Sequence, residues 1–270
     1  VFLGYSTIKT HGGDGNNGGS AGSYELYNYD GYVYGNQDAP APGGNVTSEA
    51  KVVAYGGNAV ATGADANGWG GRGGNMYLET DYYPTAQLVP NSQKVKHTGD
   101  VNIAGGTGRN QTHPWNNQAG YSWIWGYNGS SVTGNVIAEG GDDLGTTTGT
   151  VGYGGYTPSF EIYSELGLAS LVGNLTVNGG DGNYQGFSGG DVYIYGNTVN
   201  VSSTIKANGG NARVLEPGSQ GGQGGYIELK AIRPEASSVS ATATYAGGTG
   251  ATAGTEGGIL RLISCTGAGC

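Results

Sequence analysis

A strand-like run that ends in Gly-Gly recurs along the whole chain, and this repetition limits the possible folds more than any other feature. Successive pairs start 30 to 49 residues apart. Internal periods of roughly 20 to 50 residues are typical of solenoids, propellers and repeat arrays. The pairs begin at Gly12, Gly56, Gly105, Gly140, Gly179, Gly209 and Gly247, and we number the repeats one to seven after them.

The residues before each pair alternate like a β-strand with one buried face. Small or apolar residues stand four and two positions before the pair. The glycines that follow let the backbone turn sharply away from the strand. These predicted inward positions are Ile8/Thr10, Val52/Ala54, Val101/Ile103, Val136/Ala138, Leu175/Val177, Ile205/Ala207 and Ala243/Tyr245.

A polar, glycine-rich loop follows each pair, and a second alternating strand follows the loop. In several repeats a third short run comes next, clearest at residues 198–201. The predicted unit is therefore strand, loop, strand, strand, and the stretch from Leu175 to Ile205 shows it in its shortest form. The inward residues of the second strand are Tyr24/Leu26, Met76/Leu78, Ser122/Ile124, Phe160/Ile162, Val192/Ile194, Ile227/Leu229 and Leu260/Leu262.

This order predicts an all-β fold, a right-handed parallel β-helix (β-solenoid) of about seven irregular coils with long glycine-rich loops. Each coil holds too few apolar side chains for a core of its own, and stacking joins these small clusters into one. A jelly roll or sandwich also has alternating strands, but it does not predict the same strand–Gly-Gly–loop–strand order seven times. We expect residues 1–270 to form a single domain.

Composition excludes several classes of function. Glycine occupies 58 of 270 positions, charged residues make up 11%, and the net charge is −9. Nucleic acids and anionic membranes require clustered Lys and Arg, so neither is an expected partner. No apolar run is long enough for a transmembrane helix. No basic-then-apolar leader precedes Val1, and we expect that any signal peptide has been removed.

Two segments carry a family resemblance. Residues 174–182 read Asn-Leu-Thr-Val-Asn-Gly-Gly-Asp-Gly, and residues 189–195 read Gly-Gly-Asp-Val-Tyr-Ile-Tyr. Such units resemble the glycine-rich right-handed β-helices of microbial surface proteins, among them filamentous-haemagglutinin-like adhesins and autotransporter passengers. The resemblance covers nearly the whole chain as a style of repeat. It implies right-handed coiling, export and display on a cell surface.

The two cysteines stand close together in the final six residues. Small residues separate Cys265 from Cys270, so a disulfide that closes a tail at residues 265–270 is expected. A zinc site would need two further ligands, and the three histidines are distant in sequence. A disulfide would place the chain in an oxidising, extracellular compartment.

The outward positions of the second strand form two files rich in aromatic residues. If the repeats stack, this exposed stripe favours an interface between subunits or a surface on which sugar rings stack. The alternative is that long loops cover the stripe and create a second core. The files read Glu25, Tyr77, Trp123, Glu161, Tyr193, Glu228, Arg261 and Tyr27, Glu79, Trp125, Tyr163, Tyr195, Lys230, Ile263.

Aspartates beside glycines are weak candidates for calcium ligands, because carboxylates in tight turns can supply the oxygens that Ca²⁺ requires. They are Asp14, Asp142, Asp143, Asp181 and Asp191. A calcium-binding nonapeptide array would repeat every nine residues or so, whereas these turns recur far less often. Aspartate next to glycine is usually a turn former, and no bound cofactor is expected.

Asn-x-Ser/Thr sequons are candidate N-glycosylation sites, although chance alone would supply most of them in so polar a chain. Asn45 and Asn110 fall in predicted loops, where a glycan would fit. The sequons begin at Asn45, Asn110, Asn128, Asn174 and Asn200.

Catalytic signatures are weak. Neighbouring Asp142 and Asp143 would point to opposite faces of a strand, which does not suit a pair of catalytic carboxylates. The basic cluster of Lys94, Lys96 and His97 is interpreted as a solvated loop. No nucleophile elbow, phosphate loop or paired-cysteine metal signature occurs. We therefore expect no enzyme.

The first expected function is a structural subunit that associates head to tail into an extracellular filament or cell-surface assembly, shielded by glycans. Open-ended coils with little charge at either end favour such a homopolymer. The alternative is a monomeric adhesin or carbohydrate-binding solenoid that uses the aromatic files. A polysaccharide lyase or hydrolase, which β-helices also host, is the third.

Overall fold

The computed structural model describes residues 2–28, 45–60, 68–80, 93–110, 112–145, 152–258 and 261–264. These residues form an all-β structure whose two sheets consist of parallel strands. A single 3-10 turn at Pro234–Ala236 is the only helical element that they contain. No helix in this part of the chain is long and apolar enough to cross a membrane.

The first sheet collects the strands that precede the Gly-Gly pairs. Its strands are parallel and stack in chain order, with repeats three, four and seven each contributing two short strands. They are β1 (Phe2–Lys9), β3 (Val46–Val53), β5 (Lys94–Thr98), β6 (Val101–Asn102), β8 (Gly129–Thr133), β9 (Val136–Ile137), β11 (Leu168–Thr176), β13 (Thr198–Lys206), β15 (Ser238–Val239) and β16 (Thr242–Thr244).

The second sheet collects the strands that follow the glycine-rich loops. Its seven strands are also parallel and pair strictly in chain order. They are β2 (Tyr24–Asn28), β4 (Met76–Thr80), β7 (Ser122–Gly126), β10 (Phe160–Ser164), β12 (Val192–Gly196), β14 (Ile227–Ala231) and β17 (Arg261–Ser264). Parallel pairing of each repeat with the next is compatible with a β-solenoid.

The core lies between the two sheets and is one continuous apolar cluster. The predicted alternation is confirmed in repeats two to six, because the inward residues are buried there and the residues between them are not. On β10, Phe160 and Ile162 are 1% and 0% exposed, whereas Glu161 and Tyr163 are partly exposed. Each layer of this core combines residues from both sheets.

The predicted third run forms a separate short strand as β5, β8 and β15, but not at residues 198–201, where it was clearest in the sequence. Residues 198–201 are the first half of β13, which continues without a break to Lys206. In repeats three and four the same stretch is split at Gly99 and Gly134, whose φ angles are both 141°. A left-handed glycine bends the strand there and leaves two short strands in the same sheet.

Candidate functional site

An aromatic surface covers the outer side of the second sheet. Pairing between strands places each outward residue beside its counterpart in the next repeat, which is the arrangement predicted for the two outward files. Two further tyrosines, Tyr121 and Tyr226, join the surface just before β7 and β14. We call Tyr77, Tyr121, Trp123, Trp125, Tyr163, Tyr193, Tyr195 and Tyr226 the aromatic face.

Ring contacts run across the aromatic face from repeat to repeat. The centroid of Trp123 lies 4.9 Å from that of Tyr163, and Tyr163 lies 4.9 Å from Tyr195 in turn. Tyr77 and Tyr226 extend the row at its two ends, with centroid distances of 5.8 Å to Tyr121 and 6.2 Å to Tyr193. Tilted and edge-on pairs of this kind stabilise one another, so the row is a preorganised surface.

Carboxylates between the rings hold the tyrosine hydroxyls. Tyr195 and Tyr226 both donate to Glu228, over 2.7 and 2.9 Å. Lys230 Nζ lies 5.4 Å from the Tyr195 ring centroid, within range of a cation–π contact. Burial and the hydrogen bond to Glu228 raise the pKa of Tyr195. Burial and the nearby Asp191 carboxylate raise the pKa of Tyr193 to about 12, so these phenols remain neutral donors.

The described connections that leave the second sheet are too short to cover the aromatic face. Strands β7, β10, β12 and β14 continue into the first sheet through residues 127–128, 165–167, 197 and 232–237. Tyr27 and Trp125 are partly exposed, as are the other described side chains of the two files apart from the exposed Glu25. Among the described residues, the rings of the aromatic face are therefore partly open to solvent.

A second feature, which the sequence did not reveal, lies where the glycine-rich loops leave the first sheet and return to the second. Here the outgoing and returning segments of each loop pack backbone to backbone, and they form backbone hydrogen bonds with the loop segments of the next repeat. Gly57 N–H donates to Gly19 O over 2.9 Å, Gly71 N–H to Gly57 O over 2.8 Å, and Gly106 N–H to Gly71 O over 2.8 Å. The pattern continues to Gly254, and we call it the glycine zigzag.

Side chains are excluded from most of the zigzag. A Cβ at Gly57 or Gly106 would overlap the carbonyl oxygen of Gly13 or Gly57, respectively. The same collision with the preceding repeat recurs at Gly141, Gly180, Gly210 and Gly248. Glycine is thus required there because another backbone approaches closely.

The residue after each Gly-Gly pair forms a ladder of side chains. It is aspartate, asparagine or threonine in all seven repeats, a signal that could have been read from the sequence. Asp14 Oδ1 accepts the Asn58 N–H over 2.7 Å, and Asp181 Oδ1 accepts the Asn211 N–H over 2.7 Å. Each oxygen therefore caps a backbone donor of the next repeat.

Four of the calcium candidates occupy this ladder or follow it, whereas Asp191 lies beside the aromatic face and accepts the Tyr226 N–H over 2.8 Å. Asp142 accepts the Asp181 N–H over 2.9 Å and forms an ion pair of 2.9 Å with Arg213. Asp143 is fully buried and accepts the Asn110 N–H over 3.0 Å. The structure brings Asp142 and Asp181 together but leaves Asp14 at the far end of the ladder. In the described chain, no group of three or more His, Cys, Asp or Glu side chains is placed to hold a metal ion.

The sequons differ in accessibility. Asn45 and Asn174 are exposed, while Asn128 and Asn200 are partly exposed. Asn110 is not on an open loop as expected, because its side chain is only 5% exposed and its φ angle is 52°. The close approach of Asp143 to its backbone holds it inward. Cys265 and Cys270, with their expected disulfide, lie outside the described residues.

The interpretation of Lys94, Lys96 and His97 as a solvated loop is wrong. They belong to β5, and His97 is fully buried in the core side of the sheet. His97 Nδ1 lies 3.0 Å from Ser48 Oγ, which lies 2.8 Å from Tyr24 OH, and Nε2 lies 3.1 Å from Gly99 O. Since Nε2 must donate to the carbonyl, Ser48 donates to Nδ1 and Tyr24 donates to Ser48. Burial lowers the pKa of His97 to about 4.

Comparison with known proteins adds no relative to this description. No family model, no curated protein and no solved structure matches the chain. The fold and the sites above therefore have to be interpreted from their own geometry.

Proposed function

We propose that this chain is an exported structural subunit that stacks head to tail into an extracellular filament or cell-surface assembly. The observation that carries the proposal is the state of the two ends of the stack. Within the described residues, β1 and β2 pair on one side only, as do β15, β16 and β17. An unpaired strand edge is a template for another chain.

The proposed architecture is a right-handed β-helix of about seven coils. The seven parallel strands of the second sheet, each reached from the last by way of the first sheet, support this winding. Connections between parallel strands of one sheet are right-handed in the great majority of proteins. Stacking the last coil of one copy on the first coil of the next is a heterologous contact, which generates an open filament unless the rotation closes a ring.

Export agrees with the positions of two sequons. Asn45 and Asn174 are exposed, and a glycan on either would project from the surface. Mass spectrometry of the native protein tests this directly, because occupied sites add defined sugar masses to the peptides that contain them. A native protein with every sequon unmodified would leave the filament without the proposed glycan shield.

The experiment that tests the filament is electron microscopy of the undenatured protein over a range of concentrations. Uniform fibres should appear, and with strands spaced by about 4.8 Å, seven coils give an axial repeat of about 34 Å per subunit. Fibre diffraction should show the strand spacing along the fibre axis. Single short rods at all concentrations would contradict the proposal.

The open aromatic face favours a second candidate function, the binding of glycan chains. Rows of partly exposed tyrosine and tryptophan rings with carboxylates between them suit the stacking and hydrogen bonding of sugars. Replacing Trp123 and Trp125 by Ala should then abolish binding in a glycan array or by calorimetry and leave the fold intact. Trp69→Ala is the matched control, because Trp69 is 50% exposed and lies off the face. If the double variant instead dissolves an assembly, the face is a contact between subunits.

A further inference from the structure

We infer that three glycines of the first repeat, Gly13, Gly19 and Gly22, form the surface on which the last repeat of a second copy docks. We call them the glycine rim. This inference rests on the proposed head-to-tail function and specifies its interface. The inference is argued from the backbone contacts of the glycine zigzag, which already join successive repeats within one copy.

The first step is that Gly13 and Gly22 have room for a side chain within one copy, whereas a Cβ on Gly19 would lie 3.1 Å from Gly13 N. A Cβ on Gly13 would meet nothing within 4 Å, and the nearest atom to one on Gly22 would be Thr10 Cβ at 3.4 Å. None of the three rim glycines has a left-handed φ angle.

The second step is that most of the same positions in later repeats do require glycine, although Asn117 and Phe187 stand at the position of Gly19 in repeats three and five. The counterpart of Gly13 in each following repeat would collide with the carbonyl oxygen of the repeat before it. Likewise, a Cβ on Gly71 would overlap Gly19 O, and one on Gly74 would overlap Gly22 O. The rim is therefore shaped for a preceding repeat, and we assign that place to the last repeat of another copy.

The third step is the hydrogen-bond pattern of the glycine zigzag. From Gly57 N–H to Gly248 N–H, each repeat donates to a carbonyl of the preceding one, and Gly248 N–H reaches Gly222 O over 2.8 Å. Among the described residues, Gly13 N–H and Gly254 C=O have no such partner. Stacking a second copy in the same register joins this donor to this acceptor and satisfies both.

The core and the charges agree with this contact. The hydrophobic residues that pack against the core but stay partly exposed all come from the first and last repeats: Ile8, Ala21, Leu26, Ala241, Ala243 and Tyr245. Docking would bury both groups against each other, a favourable transfer from water. Across the second sheet, the row of paired residues that starts with Glu25 in β2 ends with Arg261 in β17. Head-to-tail stacking therefore places an acidic residue beside a basic one.

The test is the double variant Gly13→Ala/Gly22→Ala of the full chain. Its two methyl groups meet no close neighbour within one copy but would collide with Gly248 O and Gly257 O of a docked copy. We expect the critical concentration for assembly to rise at least tenfold, measured by sedimentation and electron microscopy. The midpoint of unfolding of the dilute monomer should be unchanged. Ser202→Ala, at an exposed site on the first sheet, should assemble like the wild type.

The outcomes separate the interface from the function. If the wild type assembles and the double variant assembles equally well, the docking surface is elsewhere and the filament remains. If the wild type stays monomeric, the proposed function fails. If the variant unfolds more easily as a dilute monomer, residues of the same chain cover the rim, and a second copy is not its partner.

Discussion

The two halves of each repeat are packed by opposite means. Between the sheets, side chains such as Leu78, Ile124 and Ile194 are fully buried against one another. In the glycine zigzag the side chains are largely missing, and carbonyl oxygens lie where Cβ atoms would otherwise stand. Both regions use the same stacking of repeats, because strand pairing sets the distance between them in each case.

The difference teaches where such a protein tolerates change. A side-chain core can shift rotamers and relax around a substitution. A backbone contact between bonded glycines has no such freedom, because moving either chain breaks hydrogen bonds in both repeats. The zigzag should therefore be the less tolerant half, although it contains almost no apolar side chain.

The largest expected effect comes from Gly106→Ala. Its Cβ would overlap the carbonyl oxygen of Gly57, so two repeats must separate to accept it. We expect a loss of about 4 kcal/mol or more in the free energy of unfolding, beyond the usual range for overpacking. Urea denaturation followed by circular dichroism measures it. Gly13→Ala is the matched control, because Gly13 is the equivalent glycine of repeat one. Equal stability of the two variants would refute the requirement for glycine.

In the other half, truncation of the core should have a graded effect. Ile162 is fully buried between the sheets, and Ile162→Ala should lower the free energy of unfolding by about 3 kcal/mol. Ile162→Val should cost about 1 kcal/mol, since only one methylene is lost. The same denaturation experiment applies. If both substitutions proved as damaging as Gly106→Ala, the core would lack the tolerance that distinguishes it from the zigzag.

The core also contains the hydrogen-bonded side chains of Tyr24, Ser48 and His97, and acid should lower the stability of the fold through His97. The pKa of His97 lies at about 4 instead of 6.5, so between these values the unfolded chain binds a proton that the folded chain does not. Stability should therefore fall as the pH drops from about 6.5 to about 4, by up to about 1.4 kcal/mol per pH unit. Unfolding free energies at pH 7 and pH 5 measure this loss for the wild type and for His97→Gln. The two proteins should diverge, and a parallel decline would assign the loss to the carboxylates.

The smallest effect is expected at the edge of the zigzag, where side chains cap backbone donors. Asp181→Ala removes the acceptor of the Asn211 N–H and should cost about 1 kcal/mol. Asp181→Asn keeps an oxygen in the same place and should remain close to the wild type. Thermal unfolding resolves the pair. Equal losses would mean that charge matters at this position and not the acceptor.

Much of the fold was predictable from local periodicity. Alternation alone separated inward Phe160 and Ile162 from outward Glu161 and Tyr163, because successive side chains of a strand point to opposite faces. It also predicted the two files, since stacking in one register places equivalent residues side by side. The ladder after the Gly-Gly pairs was visible in the sequence as well, but its aspartates were interpreted there as turn formers, with calcium ligation as the weaker alternative.

Other features depended on contacts between distant segments. The sequence placed His97 in a solvated loop, whereas pairing with β3 and β8 buries it beside Ser48. It placed Asn110 on an open loop, whereas the Asp143 carboxylate draws its backbone inward. In both cases the burial of a polar residue is decided by a partner 33 to 49 positions away.

By itself the sequence determined the period of the repeat, the all-β class and the inward and outward residues, because these follow from the alternation of side chains along single strands. Only the tertiary structure decided that the glycine-rich loops form a second packed region and that Gly13 and Gly22 have room for a side chain within one copy. Glycine offers no side chain from which a contact could be inferred. Its role becomes visible only when the neighbouring backbone is in place.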